Sequence, residues 1–110
     1  MNTQQRVALV TGANRGLGFE TTRQLLVRGM TVAMGGRDLA AVEHARRTLG
    51  EDGQARTLAV RMDVTNAESI AAAHRLVSER IGAVDVLVNN AAVLLFENDG
   101  VLSIPPSGLS

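Results

Sequence analysis

The sequence has no cysteine, no tryptophan and no tyrosine, and each of its 11 strongly basic residues is an arginine. Each absence removes a chemistry. Without thiols there is no disulfide scaffold, no Cys-type zinc site and no cysteine nucleophile. Without lysine no Schiff base can form, and without tyrosine no phenol is on hand for acid/base work. The two phenylalanines, Phe19 and Phe96, are too few for a base-stacking platform. Charge of one sign is also lacking, because 11 acidic residues balance the arginines. No overall field therefore favours nucleic acid or an anionic membrane. The longest unbroken apolar run, Ala91 to Phe96, is far too short to cross a bilayer, and no leader pattern is visible. The expectation is a cytoplasmic protein with neither a nucleic-acid nor a membrane partner.

What is present is an ordinary globular interior. Of the 110 residues, 45% are hydrophobic and 20% charged, enough for one small domain or part of a larger one. Arg6 to Thr11 is an apolar run closed by Gly12 and predicts a strand buried on both faces. Gly16 to Arg28 carries Gly18, Thr22, Leu25 and Leu26 at helical spacing and stops at Gly29. Met30 to Met34 is the next strand. Asp38 then caps a second helix with Leu39, Val42, Ala45 and Leu49 on one face, ending at Gly50. Thr57 to Met62 alternates like an edge strand with one wet face. Thr65 to Glu68 reads as a capping box for a third helix with the stripe Ile70, Ala73, Val77 and Ile81. Val84 to Val88 is a fourth strand with the pattern of an interior position. Alternation of this kind predicts an α/β fold, a Rossmann-like doubly wound parallel sheet of about four strands and three helices, incomplete as it stands. Residues 98–110, with Gly100, Pro105, Pro106 and Gly108, read as loop.

The segment from Thr11 to Gly18 follows a strand and opens a helix, the context in which a glycine pattern predicts a phosphate site. Gly12 allows a tight turn, Gly16 allows a pyrophosphate to approach the backbone, and Gly18 allows helix and sheet to pack closely. Free amides and the positive end of the helix dipole then meet the anion. The two histidines, His44 and His74, have no carboxylate or thiol at ligand spacing, so no metal site is expected. Arg46, Arg47, Arg75 and Arg80 read as helix-surface charges, and Asp85 as a structural residue at the start of the fourth strand.

The glycine spacing Thr-Gly-x-x-x-Gly-x-Gly resembles that of the short-chain dehydrogenase/reductase family. Two further landmarks match in order: Asp63-Val64 after the third strand and Asn89-Asn90-Ala91-Ala92 after the fourth. The resemblance covers about the first 95 residues. It implies that Gly12, Asn14, Arg15, Gly16, Leu17 and Gly18 cradle a dinucleotide, with Asp63 at the adenine edge and Val64 beside the ring. It further implies that Asn89, Asn90, Ala91 and Ala92 brace the fourth strand and border the cofactor ribose. The family usually has glycine where this chain has Ala92.

Cofactor choice follows from the end of the second strand. A free ribose 2′-hydroxyl calls for an acid there, a 2′-phosphate for a cation. The chain offers Gly35-Gly36-Arg37, and Arg37 is a planar fork suited to phosphate. By resemblance Arg15 is a second cation near that phosphate. The expectation is NADP, with NAD second.

Members of the family move a hydride between nicotinamide and a carbonyl or alcohol. By resemblance their acid/base group is a tyrosine within Tyr-x-x-x-Lys, assisted by a serine and an asparagine. This chain has neither tyrosine nor lysine; Ser103, Ser107 and Ser110 precede the strand where that serine should lie, and Asn89 and Asn90 belong to the cofactor motif, so no catalytic residue of that set is assigned. Residues 1–97 are read as the N-terminal half of a dinucleotide-binding domain, with 98–110 leading to a missing second half and the chain inactive alone. Its expected partners are the dinucleotide and, in a full-length protein, a small carbonyl or alcohol substrate. One alternative is a non-catalytic NADP-binding or interaction module. Another is a fragment of an S-adenosylmethionine methyltransferase, which wants Gly-x-Gly in the first turn and an acid ending the second strand. Ala13-Asn14 and Gly36-Arg37 supply neither.

Overall fold

The computed structural model describes residues 6–90. Four parallel strands run β1 (Val7–Val10), β2 (Thr31–Gly36), β3 (Thr57–Arg61) and β4 (Val86–Val88), ordered β3-β2-β1-β4 across the sheet. The helices are α1 (Gly16–Val27), α2 (Leu39–Arg47), α3 (Gly50–Ala55) and α4 (Ala67–Arg80). From β1 the chain steps outward to β2 and β3, then returns to place β4 on the other side of β1. The strand order reverses between β1 and β4, and in such sheets the crevice at the carboxyl ends of the strands beside that reversal is where ligands are held.

Strand β1 is apolar throughout because both its faces are covered. Ala8 and Val10 join Leu26 of α1 and Val42 and Ala45 of α2 in one core, while Val7 and Leu9 join Ala73 and Val77 of α4 in another. Every residue of β1 is buried, and full burial of a valine or leucine side chain stabilises by about 1.5–3 kcal/mol. The doubly wound α/β architecture predicted from the alternation is thus present.

Several local expectations are corrected. The chain after Gly50 is a fourth helix, α3, not a direct lead into a strand. Helix α2 ends at Arg47 with Thr48 as its C-cap, short of the expected Gly50, and Leu49 instead takes the cap position of α3; Gly50, at φ +85°, turns the chain, and Glu51 and Asp52 suit the positive end of the new helix. The second strand runs on to Gly36, since Gly35 and Gly36 stay in the ladder opposite Val60 and Arg61. The capping box does not form. Asn66 caps α4 by accepting from the Ser69 amide at 3.0 Å, and the Thr65 hydroxyl is taken instead by Asp63 Oδ1. The outer face of β3 is wet only in part, because Ala59 packs on the α1/α2 core while Arg61 is exposed. Leu39 leaves the α2 stripe and is 44% exposed. Among the described residues strand β4 bonds only β1, and Leu87 is 57% exposed.

Candidate cofactor site

The glycine loop is sewn to the strands on both sides of β1. The Thr11 amide donates to the Val88 carbonyl at 2.9 Å, and the Ala13 amide to the Gly35 carbonyl at 3.0 Å. The Thr11 hydroxyl donates to Asn89 Oδ1 at 2.9 Å and accepts from the Asn90 amide at 2.8 Å. Thr11 thus joins the loop after β1 to the segment after β4. The sequence reading gave it no such role; its signal was a hydroxyl immediately before the first loop glycine.

Each loop glycine has its own physical reason. Gly12 and Gly16 adopt φ +60° and +58°, the left-handed region that side chains rarely enter. At Gly16 a Cβ would meet nothing within 4 Å, so the backbone there is open to an approaching group. Gly18 is buried and lies against the Gly12 carbonyl, where a Cβ would collide with backbone. Its hydrogen is what lets α1 approach the end of β1.

The N-terminus of α1 has no side-chain cap and no acid in its first turn; Arg15, fully extended at φ −166°, occupies the cap position. Helices α2 and α4 are capped by Asp38 and Asn66, while the short α3 also lacks a side-chain cap but carries acids in its first turn. The first amides of α1 therefore await another acceptor, and an anion is the group that helix geometry favours there. Arg15 and Leu17 are exposed beside them, and Asn14 is half-buried.

The other predicted residues sit at the carboxyl ends of neighbouring strands. Arg37 is exposed directly after β2. Asp63 follows β3, with its Oδ1 accepting from the Thr65 hydroxyl at 2.6 Å and the Thr65 amide at 2.9 Å. The hydroxyl bond is the main reason its carboxyl is held below the ordinary value. The amide bond lowers it further; burial opposes both, and the charges of Arg37 and Arg61 make the least contributions, also downward. Val64 turns inward and packs on the α4 core. Asn90 follows β4, and its side-chain Nδ2 is buried without a hydrogen-bond partner among the described residues. A buried donor left unmet costs about 1–3 kcal/mol. Ala91 and Ala92 lie outside the described residues, as does the loop expected over 98–110.

Asp85 plays the structural part expected of it. Its carboxylate accepts from the Val7 amide at 2.9 Å and its own amide donates to the Val7 carbonyl at 2.8 Å, pinning the start of β1 to the chain entering β4. A hollow of about 250 Å³ between β4 and α4, lined by Leu9, His74 and Leu87 among others, contains no residue of the glycine loop. Among the described residues no cluster of three metal-ligating side chains exists. No described helix is long and apolar enough to cross a membrane.

Fold and crevice together define a Rossmann-like nucleotide-binding fold. The chain belongs to the short chain dehydrogenase family, whose model matches residues 6–104. It is 39% identical over 103 residues to a (-)-isopiperitenone reductase of Mentha piperita, covering 91% of this chain and 33% of that protein. An alcohol dehydrogenase of the archaeon Thermococcus sibiricus, solved with 5-hydroxy-NADP, is 34% identical with a TM-score of 0.73, over 84% of this chain and 40% of that one. A 3-ketoacyl-(acyl-carrier-protein) reductase of Brucella melitensis, solved with NADH, is 33% identical with a TM-score of 0.70, over 80% and 34%. The chain thus spans about a third of the length of the curated relatives it matches. The family is one of oxidoreductases that use a nicotinamide dinucleotide on alcohol and carbonyl substrates.

Proposed function

We propose that this chain is the dinucleotide-holding part of an NADP-preferring oxidoreductase, with residues 1–97 forming the first half of the binding domain and 98–110 leading on from it. The observation that carries the reading is the uncapped start of α1 behind the open Gly16 backbone, with exposed arginines at 15 and 37 and no carboxylate ending β2.

In this reading the amides of the α1 turn take the pyrophosphate, and Gly12, Asn14, Gly16, Leu17 and Gly18 shape its cradle. Arg37, seconded by Arg15, pairs with the ribose 2′-phosphate through its guanidinium fork. Asp63 retains Oδ2 for the adenine edge, since Oδ1 is engaged by Thr65. Val64 borders the ring, and Asn90, with Ala91 and Ala92, borders the second ribose. Asn90 Nδ2, without a hydrogen-bond partner among the described residues, would supply a donor to such a sugar. The dinucleotide supplies hydride chemistry, and this chain's residues bind and orient it. The acid/base groups that act on a carbonyl or alcohol are not among these side chains, and the chain alone is inactive in this reading.

Titration of NADP+ and NAD+ into the chain and its Arg37→Ala variant tests the proposal. Loss of one charged contact to phosphate is worth about 2 kcal/mol, so NADP+ should weaken about 30-fold while NAD+ holds. Equal affinity of the unsubstituted chain for both dinucleotides would refute the preference.

A further inference from the structure

We infer that Val42 of α2, together with Asn14 of the glycine loop, holds position 36 at glycine, and that this steric lock keeps from the end of β2 the carboxylate that an NAD-type ribose would require. The inference rests on the proposed dinucleotide reading and adds Val42 to it as a positioning residue, acting through the space it leaves at position 36.

Gly36 is the last residue of β2, buried, and paired in the ladder with Arg61. Its backbone is not in the left-handed region, unlike that of Gly12 and Gly16. Conformation therefore does not demand glycine there; space does. A Cβ at 36 would lie 2.7 Å from Val42 Cγ2 and 3.4 Å from Asn14 Oδ1. Neither neighbour yields easily. Val42 is wholly buried in the α1/α2 core, and a β-branched side chain on a helix has essentially one comfortable rotamer. Its helix turn is anchored, because the Val42 amide bonds the Asp38 carbonyl at 3.1 Å and the Asp38 carboxylate caps the amides of Ala40 and Ala41. Asn14 belongs to a loop whose Ala13 amide is tied to the Gly35 carbonyl. A side chain at 36 is thus pinched between a stiff methyl and the phosphate loop itself. Gly35 differs: a Cβ there would find the Val10 carbonyl at 3.3 Å and the Met62 side chain at 3.5 Å, a tight fit but not an overlap.

Positions 36 and 42 are therefore coupled. An aspartate placed at 36 alone displaces Val42 or the loop and does not present its carboxylate. Removing the Val42 methyls opens the room it needs. In a ligand-free melting cycle, Gly36→Ala should lower the midpoint, and Gly36→Ala/Val42→Ala should lower it by less than the two single changes added together. In titrations with NADP+ and NAD+, Val42→Ala should keep the NADP+ preference. Gly36→Asp should lose NADP+ and gain little for NAD+. Gly36→Asp/Val42→Ala should bind NAD+ about ten-fold tighter than Gly36→Asp, the scale of one added charged hydrogen bond. Additive melting shifts, or NAD+ affinity in Gly36→Asp equal to that of the double variant, would overturn the lock. If the unsubstituted chain fails to discriminate the dinucleotides, the cofactor reading falls while the ligand-free cycle still decides the steric claim.

Discussion

Replacing Gly18 by alanine adds a single methyl group, and the structure fixes where it lands. Within a helix such a change ordinarily stabilises by about 0.5–1 kcal/mol, since glycine loses more backbone entropy on folding. Here the methyl would fall on the Gly12 carbonyl group, with 2.7 Å to the carbonyl carbon and an even closer overlap with the oxygen. Both are backbone atoms of a loop bonded to β2 and β4, so no rotamer change relieves the contact. Helix α1 must retreat instead. Overpacking of this kind costs about 1–3 kcal/mol, and a backbone clash belongs at the upper end, leaving a net loss of about 2 kcal/mol after the helix gain. For a domain of this size that corresponds to about 8–16 °C in melting temperature. Gly16→Ala is the control: it meets no atom and pays only for its left-handed backbone, about 1–2 kcal/mol. Urea unfolding of both variants, with dinucleotide titration alongside, separates the two effects. Gly18→Ala should be the less stable and should lose binding because the α1 amides move with the helix. If Gly18→Ala proves as stable as the unsubstituted chain, the close approach of α1 to β1 is not what requires glycine, and the reasoning fails.

Two further outcomes follow from the side-chain contacts. Arg56 donates to the Leu26 and Met30 carbonyls at 3.1 and 3.0 Å and to Asp52 at 2.9 Å, tying the end of α1 and the residue before β2 to α3. Arg56→Ala should cost about 2 kcal/mol in urea unfolding, against less than half of that for Asp52→Ala, whose carboxylate is exposed. Because the Asp63 carboxyl is depressed in the folded chain, it contributes stability at neutral pH. That contribution fades as pH drops from the ordinary carboxylate range through the lowered value. Thr65→Val should raise the Asp63 midpoint toward its usual value in a carboxyl NMR titration and flatten the acid limb of the stability profile.

The parts of the fold that were legible in the sequence are those written in one residue's chemistry. The apolar run of β1, the glycines at 12, 16 and 18, and the Asp38 cap each have a local cause, and each is found in place. What escaped depends on partners distant in sequence or on a choice between equals. Thr65 and Asn66 are both good caps, and only the Asp63 carboxylate, which captures the Thr65 hydroxyl, hands the task to Asn66. Helix α3 carries two glycines, Gly50 and Gly53, that argue against helix. It is held because Gly53 fits under Leu49 and Leu26 and because Arg56 clasps its end. The crowding of Gly36 by Val42 is likewise invisible in a strand-end Gly-Gly pair, since it exists only once α2 has folded back over β2.

The two-sided tethering of the glycine loop carries a consequence for the order in which the chain assembles. One tether reaches Gly35, close in sequence, while the other spans 77 residues to Val88. Closing the longer span costs about 1 kcal/mol more chain entropy than closing the shorter. Contacts of high sequence separation also tend to be slow to form. The β1/β2 side of the loop should then be in place early, with the Thr11 to Asn89 seam among the last pieces to close. A ligand that engages both sides would bind only the finished arrangement and draw the equilibrium toward it. Concentration of such a ligand would then set the fraction of chains in which the Thr11 to Asn89 seam stands closed, without changing how fast it closes.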